Sequence, residues 1–125
     1  MNNVAYFEIQ ASNPTTLLIF YSTIFGWNFI REAHVPIEYY RIETTGINGG
    51  LLRRPAKTPT TEFGTNAFTC SIMVENFDSI AELIVAGGGQ IALPKFAVQG
   101  RCWQGYFIDP DNNTFGIFQP DENAK

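Results

Sequence analysis

The chain has 125 residues, of which 45% are hydrophobic, 14% aromatic and 16% charged. That apolar bulk suffices for one packed domain and excludes a disordered chain. The formal net charge is -4, from 8 basic and 12 acidic residues, which excludes the basic face that a nucleic-acid backbone binder needs. No apolar run reaches the roughly 18 residues that signal a membrane-spanning helix. Met1-Asn2-Asn3 lacks the basic-then-apolar pattern of a secretion signal. Two cysteines, Cys70 and Cys102, are too few for a disulfide framework. The expectation is a cytoplasmic protein with two buried thiols.

Residues 4–9 read as a strand, with Phe7 and Ile9 on one face and Tyr6 and Glu8 on the other. Asn13 and Pro14 suit the N-cap and first position of a helix. Leu17, Leu18, Phe20, Tyr21, Ile24 and Phe25 follow at helical spacing, and Gly26 ends the helix. Three strands are then predicted at 27–32, 39–44 and 47–53. Pro36 interrupts the pattern between the first two, and Thr45-Gly46 joins the second to the third. Residues 55–64 are polar, rich in Thr and Pro, and read as a linker.

The second half repeats this order. A strand at 67–74 precedes a helix that Asn76 caps, that runs through Ile80, Leu83 and Ile84, and that Gly87-Gly88-Gly89 ends. Strands follow at 90–93, 101–108 and 114–119, and Asp109-Pro110-Asp111-Asn112-Asn113 turns the last two. The fold class is α+β, with two βαβββ modules at about 4–54 and 65–119 in a single domain, 1–125. Each module is too small to bury a sheet face alone, so the two are expected to join around a shared cavity or core. The halves share a pattern of elements with little residue identity.

Phe20-Tyr21 ahead of Phe25-Gly26-Trp27, Asn48-Gly49-Gly50-Leu51, Ala86-Gly87-Gly88, and Asp109-Pro110-Asp111-Asn112 ahead of Phe115-Gly116 occur in this order. This combination resembles the vicinal oxygen chelate superfamily, which includes glyoxalase I, bleomycin-resistance proteins and extradiol dioxygenases. The resemblance extends from about Val4 to Gln119. It implies a cup-shaped mixed sheet and a homodimer. In the family's enzymes the cup holds a divalent metal on His and Glu side chains. By this resemblance the ligand positions fall at Tyr6, at about Thr69, at Gly116, and on the strand at 47–53, which has no His, Glu, Asp or Cys. A Zn, Ni or Fe site takes three or four protein donors. The single histidine, His34, reads as a solvated loop residue. The metal site is therefore expected to be lost, and no cofactor is expected.

Glu8 shares a face with Tyr6 and is a candidate general base, or else a carboxylate paired with an arginine. Arg41 is the expected partner, and alternatively a bidentate anchor for an anionic ligand. Trp103, near Gly100 and Gly105, either stacks on a flat ligand or packs in the core or rim. Of the adjacent Tyr39 and Tyr40, one faces inward. Trp27 and the set Phe7, Phe20, Phe25, Phe68, Phe115 and Phe118 supply core anchors. No nucleophile elbow or phosphate loop occurs, and Arg53-Arg54 reads as a solvated strand end.

The expected site is thus Tyr6, Glu8, Arg41, Thr69 and Trp103, binding a small organic molecule without a metal. The alternative is a glyoxalase-like lyase or isomerase, or a dioxygenase relative, using Glu8 as acid or base. A third reading is a partner domain with a filled cup and an exposed apolar patch. No nucleic-acid or membrane partner is expected.

Overall fold

The computed structural model describes residues 1–54 and 68–125. The linker expected at 55–64 lies outside the described residues. The chain divides into two compact units, Met1–Pro59 and Thr60–Lys125.

The first unit contains β1 (Phe7–Ala11), α1 (Pro14–Phe25), β2 (Asn28–Arg31), β3 (Tyr39–Glu43) and β4 (Gly49–Arg53). Its sheet has the order β1-β4-β3-β2, with β1 and β4 parallel and the other neighbours antiparallel. β1 begins later and ends later than the predicted 4–9. Its ladder with β4 starts at Phe7 and carries Gln10 and Ala11 opposite Leu52 and Arg53, so pairing sets the bounds. Asn13 has the extended backbone of an N-cap but makes no side-chain cap bond. Pro14 follows it, and a proline there has no N–H to satisfy. Gly26 ends α1 in the left-handed region, φ 71°, which glycine adopts without a Cβ clash.

One face of this sheet is the core side. Ala11, Ile42 and Leu51 share it by register and have no exposed area, as does Leu17 on α1. Burying a Leu or Ile side chain fully stabilises by about 1.5–3 kcal/mol. Phe7 lies on the same face, its ring 5.4 Å from Trp27, which stacks on Tyr21 at 5.5 Å and 6°. Trp27 therefore packs with the helix, as its position after Gly26 predicts.

The second unit contains β5 (Ser71–Met73), α2 (Phe77–Ala86), β6 (Gln90–Val98), β7 (Cys102–Ile108) and β8 (Thr114–Pro120). Its order is β5-β8-β7-β6, with β5 and β8 parallel and the other neighbours antiparallel. β5 is shorter than predicted because only three of its residues pair with β8. β6 runs past the predicted 93 to Val98, through Pro94. It is an edge strand with register shifts between Ile91 and Leu93 and between Leu93 and Phe96, and such irregular edges accommodate proline. Asn76 caps α2 by accepting the Ser79 N–H at 2.9 Å. After the helix it is Gly88, φ 101°, that takes the left-handed turn.

Phe77, Ile84, Phe107, Phe115 and Ile117 form the buried side of this unit. Phe68 does not join it and is 97% exposed, because it precedes the paired residues of β5. The two thiols are not both buried either: Cys70 is exposed and Cys102 half-buried. Cys70 lies just before β5, and its carbonyl accepts from the Gly116 N–H.

Candidate functional site

Residues opposed across a ladder project from the same face. Glu8 pairs with Gly50, Gly50 with Arg41, and Arg41 with Ile30. This row lies on the face opposite the buried Ala11, Ile42 and Leu51. Tyr39 belongs to the neighbouring row, opposite Leu52, and Tyr6 precedes Glu8 by two residues. Tyr6, Glu8, Tyr39 and Arg41 therefore occupy one helix-free face.

Gly50 is the floor of this arrangement. A Cβ there would collide with the hydroxyls of both Tyr6 and Tyr39, so the two phenols meet only because β4 has a glycine between their strands. The two hydroxyl oxygens are 2.7 Å apart, and Tyr6 donates to Glu8 Oε2 at 3.2 Å. Burial pushes the Tyr6 phenol well above its usual pKa, and the Tyr39 contact and the Glu8 charge add to the rise. Tyr6 as a whole is 44% exposed, but its oxygen sits between two hydrogen-bonding partners. It keeps its proton.

Arg41 does not pair with Glu8. Its guanidinium bonds Glu32, which also lies 3.6 Å from His34 Nδ1. The reason is spacing. β4 stands between β1 and β3, so Glu8 and Arg41 are two strand intervals apart, about 9–10 Å in the backbone. Glu32 follows β2, its N–H bonded to the Tyr39 carbonyl, and so lies beside β3. Arg53 also acquires a partner, gripping Glu38 through Nε and Nη2 at 3.1 and 2.7 Å. Those hydrogen bonds hold the Glu38 carboxyl below its usual pKa, with help from Tyr40 and Arg31.

The second unit repeats the lattice with other side chains. Ser71 pairs with Gly116, and Gly116 with Tyr106. A Cβ on Gly116 would meet Ser71 Oγ at 2.5 Å and Gln104 Nε2 at 2.8 Å. Gln104 donates to Ser71 across that glycine at 3.1 Å. Thr69 is exposed and precedes Ser71 by two residues, as Tyr6 precedes Glu8. Met73, Leu93 and Phe96 share this face by register and are exposed, with the Phe96 ring 6.4 Å from Tyr106.

Trp103 alternates with Gln104 and lies on the other face, in line with Gly105 and Phe107. Its indole N–H donates to Asp121 at 3.0 Å, and Lys95 Nζ stands 4.8 Å from its ring centroid. Lys95 in turn reaches Asp78 at 3.1 Å. The ring is engaged in packing. Asp121 is held below its usual pKa, first by the Asn123 N–H and then by the Trp103 indole.

The structure thus brings Tyr6 and Glu8 together, leaves Arg41 on the same face in another pair, and puts Thr69 and Trp103 in the other unit. It adds Tyr39 and Gly50. The signal for Gly50 was in the sequence: two glycines inside a strand pattern mark a close approach of other groups. Tyr39 was narrowed only to one of two adjacent tyrosines.

No family model matches the chain. The provisionally named glyoxylase CFP32 of Mycobacterium bovis is 24% identical over 114 residues, covering 90% of this chain and 43% of that protein. The protein of the same name from Mycobacterium tuberculosis matches equally. The chain spans less than half the length of the curated relatives it matches. Among solved structures, the fosfomycin-resistance protein FosX of Listeria monocytogenes superposes with a TM-score of 0.77 at 17% identity, covering 97% of this chain and 93% of FosX. A glyoxalase/bleomycin-resistance/dioxygenase family enzyme of Burkholderia phytofirmans gives 0.73 at 18%, covering 94% and 98%. A domain of the same description from Frankia sp. gives 0.77 at 16%, covering 98% and 94%.

The fold is that of the glyoxalase/bleomycin-resistance/dioxygenase proteins.

Among these solved structures, an E126Q variant of the Listeria FosX contains Mn(II) and 1S,2S-dihydroxypropylphosphonic acid. In the present chain, the position Gly116 has no donor side chain, and Gly49–Arg53 contains no His, Glu, Asp or Cys. Among the described residues no three His, Cys, Asp or Glu side chains form a group that could hold a metal.

Proposed function

We propose that this protein binds a small organic molecule on the helix-free face of its first sheet, without a metal. The observation that carries this is the chain of hydrogen bonds from Tyr39 through Tyr6 to Glu8, laid over Gly50. A glycine inside a strand whose missing Cβ leaves room for two phenols to meet beside a carboxylate is a built polar feature. Aromatic walls with a few fixed polar groups are what ligand sites use for affinity and orientation. The residues at the family's metal-ligand positions do not fit a divalent ion: Tyr6 holds its proton, a hydroxyl such as that of Thr69 is a weak donor, and Gly116 offers no donor atom.

Amide-shift mapping with a fragment library in the presence of a chelator tests this. Hits should cluster at the amides of Glu8, Tyr39, Arg41 and Gly50. Hits that cluster elsewhere, or that need Mn(II), would overturn it.

A second reading is favoured by the same chain of bonds, because it ends on a carboxylate. Glu8 would then serve as acid or base in a lyase or isomerase. Glu8→Gln separates the two readings: a loss of turnover far larger than the loss of affinity supports the enzyme.

A further inference from the structure

The hydrogen-bond chain has a direction, and the direction selects a ligand. A phenol has one proton to donate and lone pairs to accept with. An ionised carboxylate only accepts. Tyr6 donates its one proton to Glu8. The proton shared between the two phenols therefore belongs to Tyr39, and Tyr6 accepts it. Tyr39 has then no donor left, and its oxygen faces a ligand as an acceptor alone.

The charges on the face point the same way. The Arg41 guanidinium is neutralised by Glu32. Glu43 accepts a hydrogen bond from Asn28 at 3.2 Å, which carries no charge. Among the described residues no cation pairs with Glu8. Glu8 therefore stands behind the acceptor oxygen without an ion pair, while Arg54, which alternation from Gly50 puts on the same face, bonds the Gln10 carbonyl at 3.1 Å. At the Tyr39 oxygen an anionic group would meet an acceptor backed by the Glu8 charge, whereas a cationic donor would make a charge-assisted bond.

Resting on the binding face described above, we infer that the Tyr39–Tyr6–Glu8 chain recognises a protonated amine on the ligand, bound at the Tyr39 oxygen. Arg41, which the sequence offered as an anion anchor, stands in this arrangement as the partner that cancels Glu32.

Three probes of similar shape test the inference: benzylammonium, benzyl methyl ether and benzoate, each followed by amide shifts at Tyr39, Arg41 and Gly50. Benzylammonium should bind at least about tenfold more tightly than either of the others, the difference expected from one charge-assisted contact. Glu8→Gln should shrink that advantage to less than about threefold, because Gln can both donate and accept and carries no charge. Tyr39→Phe should remove it. An unchanged melting temperature certifies each variant, and Glu8→Gln carries the test if Tyr39→Phe does not fold. Benzoate binding at the same amides as tightly as benzylammonium would overturn the amine inference and leave the binding face standing. Shifts confined to other parts of the chain for all three probes would overturn the binding face and the inference together.

Discussion

The two modules share one lattice and differ in what stands on it. In each, the first strand runs parallel to the last strand of its module, and a glycine of that last strand lies in register with it: Gly50 opposite Glu8, Gly116 opposite Ser71. In each, side chains from both neighbouring strands reach across the glycine and bond one another. In the first module these are two phenols backed by a carboxylate. In the second they are a serine and a glutamine, uncharged, beside the exposed Met73, Leu93 and Phe96. The frame is conserved between the halves by strand pairing, while the chemistry is set by a few side chains placed on it.

The largest effects should come from the shared frame. Leu51 and Ile117 lie on the equivalent strands β4 and β8 and have no exposed area. Leu51→Ala and Ile117→Ala should each cost about 2–5 kcal/mol by denaturant unfolding. Hydrogen exchange read alongside shows whether each loss stays in its own module. A cost under about 1 kcal/mol at either site would mean that strand is not a core strand.

The glycines sharpen the contrast. Gly50→Ala must push the two phenols apart and should cost about 1–3 kcal/mol while abolishing binding of benzylammonium. Gly116→Ala displaces the Ser71 hydroxyl and the Gln104 amide, and should cost stability within the same range without changing that binding. Loss of binding in Gly116→Ala alone would reverse the assignment of the site.

The smallest effects are the acid responses. Glu38 in the first module and Asp121 in the second both have depressed pKa values, by the Arg53 and Asn123 hydrogen bonds respectively. A depressed carboxyl stabilises above its unfolded pKa of about 4 and loses that contribution as pH falls through the lower folded value. Both modules should therefore weaken below about pH 4. Arg53→Met should flatten the acid response of the first module by less than about 1 kcal/mol, because the pair is partly exposed. Melting temperatures of the wild type and the variant across this range provide the check, and an acid response identical in both would dismiss the Glu38–Arg53 pair as its source.

The order of elements was legible because apolar spacing and turn residues report directly on helices and strands. So was the common face of Tyr6 and Glu8, which needs only alternation. Strand ends were not legible, since β5 and β6 end where their partners allow, at Met73 and Val98. Nor was the Arg41–Glu32 pair, because only the sheet order shows that β4 separates Arg41 from Glu8. Trp103 could not be read as a packing residue from its neighbours, because its partner Asp121 lies on a different segment, after β8. Tyr39 became a site residue only through Gly50, whose missing side chain is what the two phenols share.

That the polar face works without a metal is tested most directly by elemental analysis of untagged protein, followed by thermal unfolding with added Mn(II). Binding to the native state raises the melting temperature by mass action. The expected result is no stoichiometric metal and no shift. One metal per chain with a clear shift would contradict the proposal, and would require ligands other than those at Tyr6, Thr69 and Gly116.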